Sequence, residues 1–240
     1  MARTETDEGT VRAAPRIRGW QEAALLVGTA IVLALLIKTF FVQAFYIPSE
    51  SMEPGFVKND RILVQKVSYW GGGTPRRGDI IVFKDPGGWL DGSGGTTNPF
   101  TSALTRIGLY PAGGHLVKRV IGVAGDTITC CDAKGRVSVN GVPLDEGAYI
   151  APQKRCNGPM TGDCRWSSGP VPKGSVFVMG DNRDHSADST VHLCLPKQPG
   201  CEPGAEFVST DLVVGKVSAL FWPLSRFHLL HRPNSFSAVP

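Results

Sequence analysis

A long apolar segment near the N-terminus constrains this chain more than any other feature. From Ala23 to Ile37 fifteen residues carry no charge, and after Lys38 the apolar character resumes as far as Ile47. As an α-helix, residues 23–42 would extend about 30 Å, which matches the hydrocarbon core of a bilayer. The sequence therefore predicts a membrane-spanning helix within residues 21–44, after an N-terminal segment of residues 1–20.

The charges before this segment indicate its orientation. Arg12, Arg16 and Arg18 precede it, and basic residues that flank a membrane helix favour the cytoplasmic side. We therefore expect a single-pass protein of the plasma (cytoplasmic) membrane, with a cytoplasmic N-terminus. Residues 45–240 would form an extracytoplasmic domain.

A cleaved signal peptide is the alternative reading of the same residues. Basic residues before an apolar core are typical of such a peptide, and Val42-Gln43-Ala44 offers small residues where a cut would fall. The apolar core is at the upper length limit for a signal peptide, and Lys38 lies between that core and the cut. Both facts favour a retained anchor.

The rest of the chain has the pattern of a β protein. Its regular segments are short and rich in β-branched residues, and Asn140-Gly141 between two valines indicates a tight hairpin. No long window beyond the anchor has helical periodicity. We predict an all-β fold behind an N-terminal transmembrane helix, with turn-rich loop insertions near residues 86–114 and 151–172. The predicted strands are residues 61–67, 79–83, 116–124, 137–139, 175–179 and 212–220.

Charge and cysteine content narrow the possible functions. The net charge is +4 and the basic residues are scattered, which argues against nucleic acid as a partner. All six cysteines follow the apolar segment, where an oxidising compartment would allow disulfides. Cys156 with Cys164 and Cys194 with Cys201 would each close a short loop, whereas Cys130 and Cys131 have no evident partner. A metal site is the alternative, but no pair has C-x-x-C spacing, so we expect neither metal nor cofactor.

Ser51 is a candidate nucleophile, because it follows the apolar segment by only a few residues in a Pro-Ser-x-Ser sequence. A serine hydroxyl needs a base at neutral pH. No G-x-S-x-G or S-x-x-K pattern is present, and the histidines suggest no triad order. A lysine remains: Lys118 and Arg119 interrupt an apolar strand, and one of the two is expected to point inward. Burial would lower the pKa of an inward lysine and allow it to accept a proton.

The polar run of residues 180–189 is the third feature. Alone it could be an Asx-rich turn or a cation-binding loop, and Ser51 alone could belong to an ordinary turn. An EF-hand is not matched, because the loop lacks glycine at its sixth and glutamate at its twelfth position. The three features together predict a membrane-anchored Ser/Lys protease.

Five motifs in a fixed order carry a resemblance to a known family. They are Pro48-Ser49-Glu50-Ser51-Met52-Glu53-Pro54; Asn59-Asp60-Arg61-Ile62-Leu63-Val64; Arg77-Gly78-Asp79-Ile80-Ile81-Val82-Phe83; Lys118-Arg119-Val120-Ile121-Gly122 with Gly125-Asp126; and Gly180-Asp181-Asn182-Arg183-Asp184 with Ser186 and Asp188-Ser189. In order and placement they resemble the successive boxes of bacterial type I signal peptidases. The resemblance covers about residues 37–189, with Gly215-Lys216-Val217 and Trp222-Pro223 similar to the family's C-terminal end. It implies a mainly antiparallel β catalytic domain of the signal-peptidase type.

The resemblance also implies residue roles and a reaction. Ser51 would be the acylating nucleophile and Lys118 the general base. The Ser49 hydroxyl and the Ser51 backbone N–H would form the oxyanion hole. Ser186 would orient the Lys118 amine, and Asp188 would hold the turn of residues 180–189. Residues lining shallow pockets for small side chains, or pairing with an extended peptide beside Lys118, would be Phe45, Ile47, Pro48, Met52, Leu116 and Val117. The substrates would be preproteins with Ala-x-Ala-like signal peptides, met at the lipid bilayer.

One departure from the family follows Asp188-Ser189. Where the family usually has an arginine that pairs with the aspartate, this chain has Thr190. Arg183 is the candidate to replace that arginine, and the stability of the turn is in question. Two alternative functions stay open here: a self-cleaving repressor-type Ser/Lys protease, whose DNA-binding domain is replaced by a membrane segment, and an inactive anchored β-domain that binds export substrates.

Overall fold

The computed structural model of the chain describes residues 19–90, 114–152, 165–194 and 201–240. The chain forms two units, Met1–Lys38 and Thr39–Pro240. Helix α1, Gly19–Leu36, belongs to the first unit and has eighteen residues, none of them buried. Its length, about 27 Å, and its apolar composition suffice for a membrane span. A π-helical segment, Ile37–Phe41, follows α1.

The second unit is built from twelve described strands in two antiparallel sheets. The larger sheet has the order β1-β2-β11-β3-β4-β9-β10, with β12 paired to β11, and the smaller sheet has the order β7-β6-β5-β8. The strands are β1 Val42–Tyr46, β2 Arg61–Gln65, β3 Ile80–Lys84, β4 His115–Val123, β5 Ile128–Cys130, β6 Ser138–Val139, β7 Val142–Pro143, β8 Trp166–Ser168, β9 Ser175–Met179, β10 Val208–Ser209, β11 Val213–Trp222 and β12 His228–Leu229.

The larger sheet is covered on both faces. Along β3, Ile80 and Val82 belong to one buried apolar cluster and Ile81 and Phe83 to another, because successive side chains of a strand face opposite ways. Strand β4 lies next to β3 near the middle of this sheet and is buried over most of its length. A polar side chain on β4 is therefore removed from water on either face.

The all-β prediction with an N-terminal apolar helix is confirmed. The six predicted strands are present with ends shifted by up to two residues, and residues 175–179 form β9 with the predicted bounds. Asn140 and Gly141 join β6 to β7 and both have positive φ, 51° and 80°, as the predicted tight hairpin requires. Helix α1 ends earlier than the predicted span of residues 21–44, since Val42–Tyr46 is a strand.

Two predictions about loops and cysteines are resolved only in part. Cys194 and Cys201 form the expected disulfide, whereas Cys130 and Cys131, for which no partner was evident, are joined to each other. Cys156 and Cys164 lie outside the described residues, as do most of the predicted insertion 86–114, residues 153–164 of the second insertion, and residues 1–18 of the N-terminal segment.

Candidate active site

Ser51 lies in the turn that connects β1 to β2. The turn is held by backbone hydrogen bonds from Glu53 N to Glu50 O, 3.0 Å, and from Phe56 N to Met52 O, 2.9 Å. The carbonyl oxygen of Ser51 accepts a further hydrogen bond of 3.0 Å from the backbone N–H of Asn182. The peptide group that follows the Ser51 Cα is thus held by the polar run of residues 180–189, and Ser51 is only 5% exposed.

Lys118 lies in β4, opposite Ile81 of β3. Its Nζ is 2.6 Å from Ser51 Oγ and hydrogen-bonded to it, although the two residues are 67 positions apart in the sequence. This distance is within the reach at which a base can take a proton from a hydroxyl. Lys118 is 4% exposed, so the pair is shielded from water in this structure.

Burial decides the protonation of Lys118. Desolvation lowers the pKa of its amine from 10.5 to about 8, while the negative charges of Asp188 and Asp181 act in the opposite direction. A buried ammonium loses the hydration that favours it in water, which is the reason for the decrease. A substantial fraction of Lys118 is therefore neutral slightly above neutral pH and able to accept a proton.

Ser49 brings a second hydroxyl to the nucleophile. Its Oγ is 3.2 Å from Ser51 Oγ, and Ser49 itself is exposed. A hydroxyl beside the nucleophile can donate to an oxygen that becomes negative during attack on a carbonyl group. The arrangement supplies one side-chain donor next to the reacting atom.

Asp188 organises the turn that faces the Ser51–Lys118 pair. It is completely buried, and its Oδ2 accepts hydrogen bonds from the Gly180 N–H, 2.8 Å, and from the Ser186 hydroxyl. The Cα of Gly180 packs so closely against Ser186 Oγ and Ser51 O that a Cβ would collide with both. The absence of a side chain at Gly180 is therefore what lets this turn approach Ser51.

Thr190 takes part in holding Asp188. The Thr190 hydroxyl donates to Asp188 Oδ1 over 2.6 Å and the Thr190 backbone N–H donates to the same atom over 3.1 Å. With the two hydrogen bonds on Oδ2, the buried carboxylate accepts four in all, which offset its loss of hydration. The prediction that Arg183 replaces the family's arginine is wrong, because Arg183 forms its ion pair with Glu146.

Lys118 and the neighbouring Arg119 are both buried. We predicted that only one of Lys118 and Arg119 points inward, but both are 4% exposed. Arg119 forms a bidentate ion pair with Asp181, 2.7 and 2.6 Å, and its Nη1 donates to Gly78 O. Both faces of β4 are covered, so alternation along the strand did not identify the buried residue, and Arg119 remains charged because it has a buried partner.

The predicted pocket residues do not form a single group. Phe45, Ile47, Met52 and Val117 belong to one apolar cluster, in which Ile47 and Met52 are fully buried. The side chain of Leu116 packs into a different cluster. Pro48 is exposed in the turn between Ile47 and Ser51.

The strand edge beside Lys118 is open on one side. Residues His115 to Arg119 of β4 pair with β3, but β9 pairs with β4 only from Arg119 onward. Among the described residues, the second edge of Leu116, Val117 and Lys118 has no strand partner. An extended peptide could add to this edge with its backbone next to the Lys118 amine.

Several polar residues next to the site were missed by the sequence analysis. Glu146 and Tyr149 belong to none of the five motifs, yet Glu146 forms an ion pair with Arg183 and Tyr149 lies against Arg119. The available signal was a glutamate in a short segment that begins with Leu144 and ends with Tyr149-Ile150, but it does not identify the partner.

A family sequence pattern and two relatives point to the same family. The sequence pattern of the family described as "Signal peptidase, peptidase S26" matches residues 20–222. Signal peptidase I of Mycobacterium tuberculosis (strain CDC 1551 / Oshkosh) is 39% identical over 89% of this chain and 76% of its own length. Signal peptidase I of Leptolyngbya laminosa is 36% identical over 90% and 86%. A solved signal peptidase I structure from Enterococcus faecalis V583 is 22% identical, with a TM-score of 0.32, over 59% of this chain and 95% of that one.

Proposed function

Because the chain belongs to the peptidase S26 family of signal peptidases, which are serine endopeptidases, we propose that it removes signal peptides from exported preproteins with Ser51 as nucleophile and Lys118 as general base. The 2.6 Å contact between Lys118 Nζ and Ser51 Oγ, both on buried residues, is the observation that carries the proposal. We assign supporting roles to Ser49, Ser186 and Asp188.

The reaction follows from the positions of these groups. Neutral Lys118 takes the proton of Ser51 Oγ, which attacks the carbonyl carbon of the scissile peptide bond. The carbonyl oxygen becomes negative and accepts hydrogen bonds from the Ser51 N–H and the Ser49 hydroxyl. Protonated Lys118 then gives its proton to the leaving amine, which departs as the new N-terminus of the mature protein. Water, deprotonated by Lys118, hydrolyses the acyl-enzyme and restores both residues.

Asp188 and Ser186 act on the base in this scheme. The negative charge of Asp188 favours the protonated form of Lys118 and thereby stabilises the ammonium that forms during acylation. Ser186 donates its hydroxyl hydrogen to Asp188 and packs against Gly180. Its effect on the amine is therefore exerted through the turn and the carboxylate.

The substrate would bind as an extended strand along the open edge of Leu116 and Val117. Small residues at the −1 and −3 positions suit a shallow site whose base is formed by the buried side chains of Ile47 and Met52, because both are packed and leave little room. Phe45 and Val117 border the same cluster. A bulky residue at either position would have to displace buried atoms.

Membrane anchoring is the second part of the proposal. Helix α1 would span the plasma membrane with the N-terminus in the cytoplasm and residues 45–240 outside, as Arg12, Arg16 and Arg18 favour. In the second unit, Phe40 and Phe41 are about half exposed, and Phe41 contacts the exposed Trp70 at 5.5 Å between ring centroids. Exposed aromatic rings next to a span are typical of the lipid interface. Enzyme and membrane-inserted preprotein would then meet at raised effective concentration.

Cleavage of preproteins that differ at one position tests the substrate part of the proposal. We expect the purified full-length chain in detergent to cut an Ala-x-Ala preprotein after the second alanine. Phenylalanine in place of that alanine should lower kcat/KM by about a hundredfold, because the pocket cannot admit the ring. Mass spectrometry of the products gives the cut site. Equal cleavage of both preproteins, or cuts at other positions, would contradict the proposed specificity.

The pH dependence of cleavage tests the base. Only neutral Lys118 can accept the Ser51 proton, and its pKa lies at about 8. We therefore expect log kcat/KM to rise with slope one from pH 6 and to level off above about pH 8, near the pKa of the free enzyme's base. Circular dichroism over the same range controls for unfolding. A flat profile between pH 6 and pH 9 would exclude a titrating lysine.

A further inference from the structure

A segment outside the five motifs contacts the turn of residues 180–189, which is hydrogen-bonded to Ser51. It follows β7 and includes Glu146, which is 4% exposed, and Tyr149. Arg183 is completely buried and donates from Nη1 and Nη2 to both carboxylate oxygens of Glu146. The Nε–H of Arg183 donates to Gly180 O over 2.8 Å. Arg183 thus connects Glu146 directly to the backbone of the turn.

Tyr149 supplies a second connection between the same elements. Its hydroxyl donates to Glu146 Oε1 over 2.8 Å, and the Arg119 guanidinium lies 4.3 Å from the centre of its ring. Burial raises the pKa of Tyr149, so its hydroxyl stays protonated and remains a donor. Arg119 in turn holds the Asp181 carboxylate. The Glu146 carboxylate therefore contacts Arg183, which is bonded to Gly180, and the Tyr149 ring contacts Arg119, which is bonded to Asp181.

These contacts reach the nucleophile through the backbone. The Asn182 N–H donates to Ser51 O, and the Ala151 N–H donates to Asp181 O, both over 3.0 Å. Ile150 also forms a β-bridge with Pro54, three residues after Ser51. A shift of residues 180–182 would accordingly displace the Ser51 carbonyl group and the turn on which the Ser51 N–H lies.

We propose that Glu146 and Tyr149 are positioning residues, which fix the Gly180–Asn182 backbone through Arg183 and Arg119 and so set the position of Ser51. The inference rests on the proposed role of Ser51. Neither residue touches the reacting atoms. Loss of the Glu146 charge leaves Arg183 buried without its counter-ion, and the guanidinium can then regain hydration only by moving away from Gly180.

Glu146→Gln tests this proposal against a matched ion pair elsewhere. In the Arg77–Asp126 pair, the Asp126 carboxylate is likewise buried, 2% exposed, and bidentate, with contacts of 2.7 and 2.6 Å, but its other described hydrogen bonds come from Val123 and Asn140 and not from residues 180–190. We expect Glu146→Gln to lower kcat by about 10²-fold, because small displacements of reacting groups have effects on this scale, with KM changed by less than about threefold. Asp126→Asn should lower the melting temperature to a similar extent and leave kcat unchanged.

Hydrogen exchange gives a readout that needs no substrate. In full-length protein, Glu146→Gln should accelerate exchange in a peptide covering residues 180–186 by about tenfold or more, because opening of the turn becomes easier. Asp126→Asn should leave that peptide unchanged. If the wild type cleaves no preprotein, the proposed function fails while the exchange experiment still decides whether Glu146 holds the turn.

Tyr149→Phe is the second variant, in case Glu146→Gln does not fold. It keeps the ring beneath Arg119 and removes only the hydrogen bond to Glu146, for which we expect a decrease in kcat of about tenfold. Normal kcat in a folded Glu146→Gln or Tyr149→Phe protein, or equal effects of Glu146→Gln and Asp126→Asn on kcat and on exchange of residues 180–186, would overturn the proposal.

Discussion

Substitution of Ser51 by alanine is expected to reduce preprotein cleavage by at least about 10³-fold, because it removes the oxygen that attacks the carbonyl carbon. Its hydroxyl oxygen is 2.6 Å from the Lys118 amine, so alanine removes the atom that would form the acyl bond. The fold should persist, since alanine fits the space of a serine that is 5% exposed. Single-turnover cleavage, followed by gel electrophoresis, measures the loss.

Ser138→Ala is the matched control for this experiment. Ser138 is also buried, 8% exposed, but lies in β6 of the smaller sheet, outside the site. It should cleave at the wild-type rate. Full activity in Ser51→Ala would require another nucleophile. If folded wild-type protein did not cleave at all, an inactive domain that binds export substrates would be the better description of this chain.

The β architecture was predictable because its strands differ in composition from their surroundings. β9, Ser175–Met179, is an apolar, β-branched run between Gly174 and Gly180, and it was predicted with its observed ends. β1 was missed for the opposite reason. It continues the apolar segment that begins in α1, so hydrophobicity does not change where the helix ends and the strand begins. Two- and three-residue strands such as β8 have too little periodicity to be recognised.

Only those site residues were predictable whose residue type and local sequence indicate a chemical role. Ser51 and Lys118 could be identified because a serine in a turn can act as a nucleophile and a lysine in an apolar strand can act as a base. The ion pairs were not predictable, since a carboxylate near a loop gives no indication of its partner. Arg183 could have paired with Asp188, but Thr190 donates a hydrogen bond to that aspartate and Arg183 forms its ion pair with Glu146.

The non-sequential strand order explains why the ion-pair partners could not be predicted from the sequence. β4 pairs with β3 on one side and with β9 on the other, and 51 residues of chain lie between the end of β4 at Val123 and β9 at Ser175. That intervening chain includes the smaller sheet. Glu146 and Tyr149 follow β7 of that sheet; Glu146 forms an ion pair with Arg183 in the turn after β9, and Tyr149 donates a hydrogen bond to Glu146. Such contacts depend on how the sheets come together, which local sequence patterns do not encode.

Substitution of Lys118 by methionine is expected to have the second large effect and to separate catalysis from stability. Methionine is unbranched and of similar length, so it fits the site but cannot take a proton. We expect cleavage to fall by about 10³-fold, within the range for loss of a general base. Lys173→Met, at an exposed lysine before β9, should leave cleavage unchanged. Residual activity near the wild-type rate in Lys118→Met would show that another group is the base.

The same substitution should make the protein more stable below pH 8. The folded-state pKa of Lys118, about 8, is below its usual value of 10.5, so the folded state binds fewer protons between those values. Wild-type stability therefore rises as the pH increases from 8 to 10.5, and the cost of the buried ammonium is fully present below pH 8. At ~1.4 kcal/mol per pKa unit, this cost is on the order of 3 kcal/mol. Urea unfolding of Lys118→Met should show a gain of that order at pH 7 that disappears near pH 10.5. Equal stability of the two proteins at pH 7 would mean that burial does not disfavour the charged amine, and the physical basis for Lys118 as a base near neutral pH would be lost.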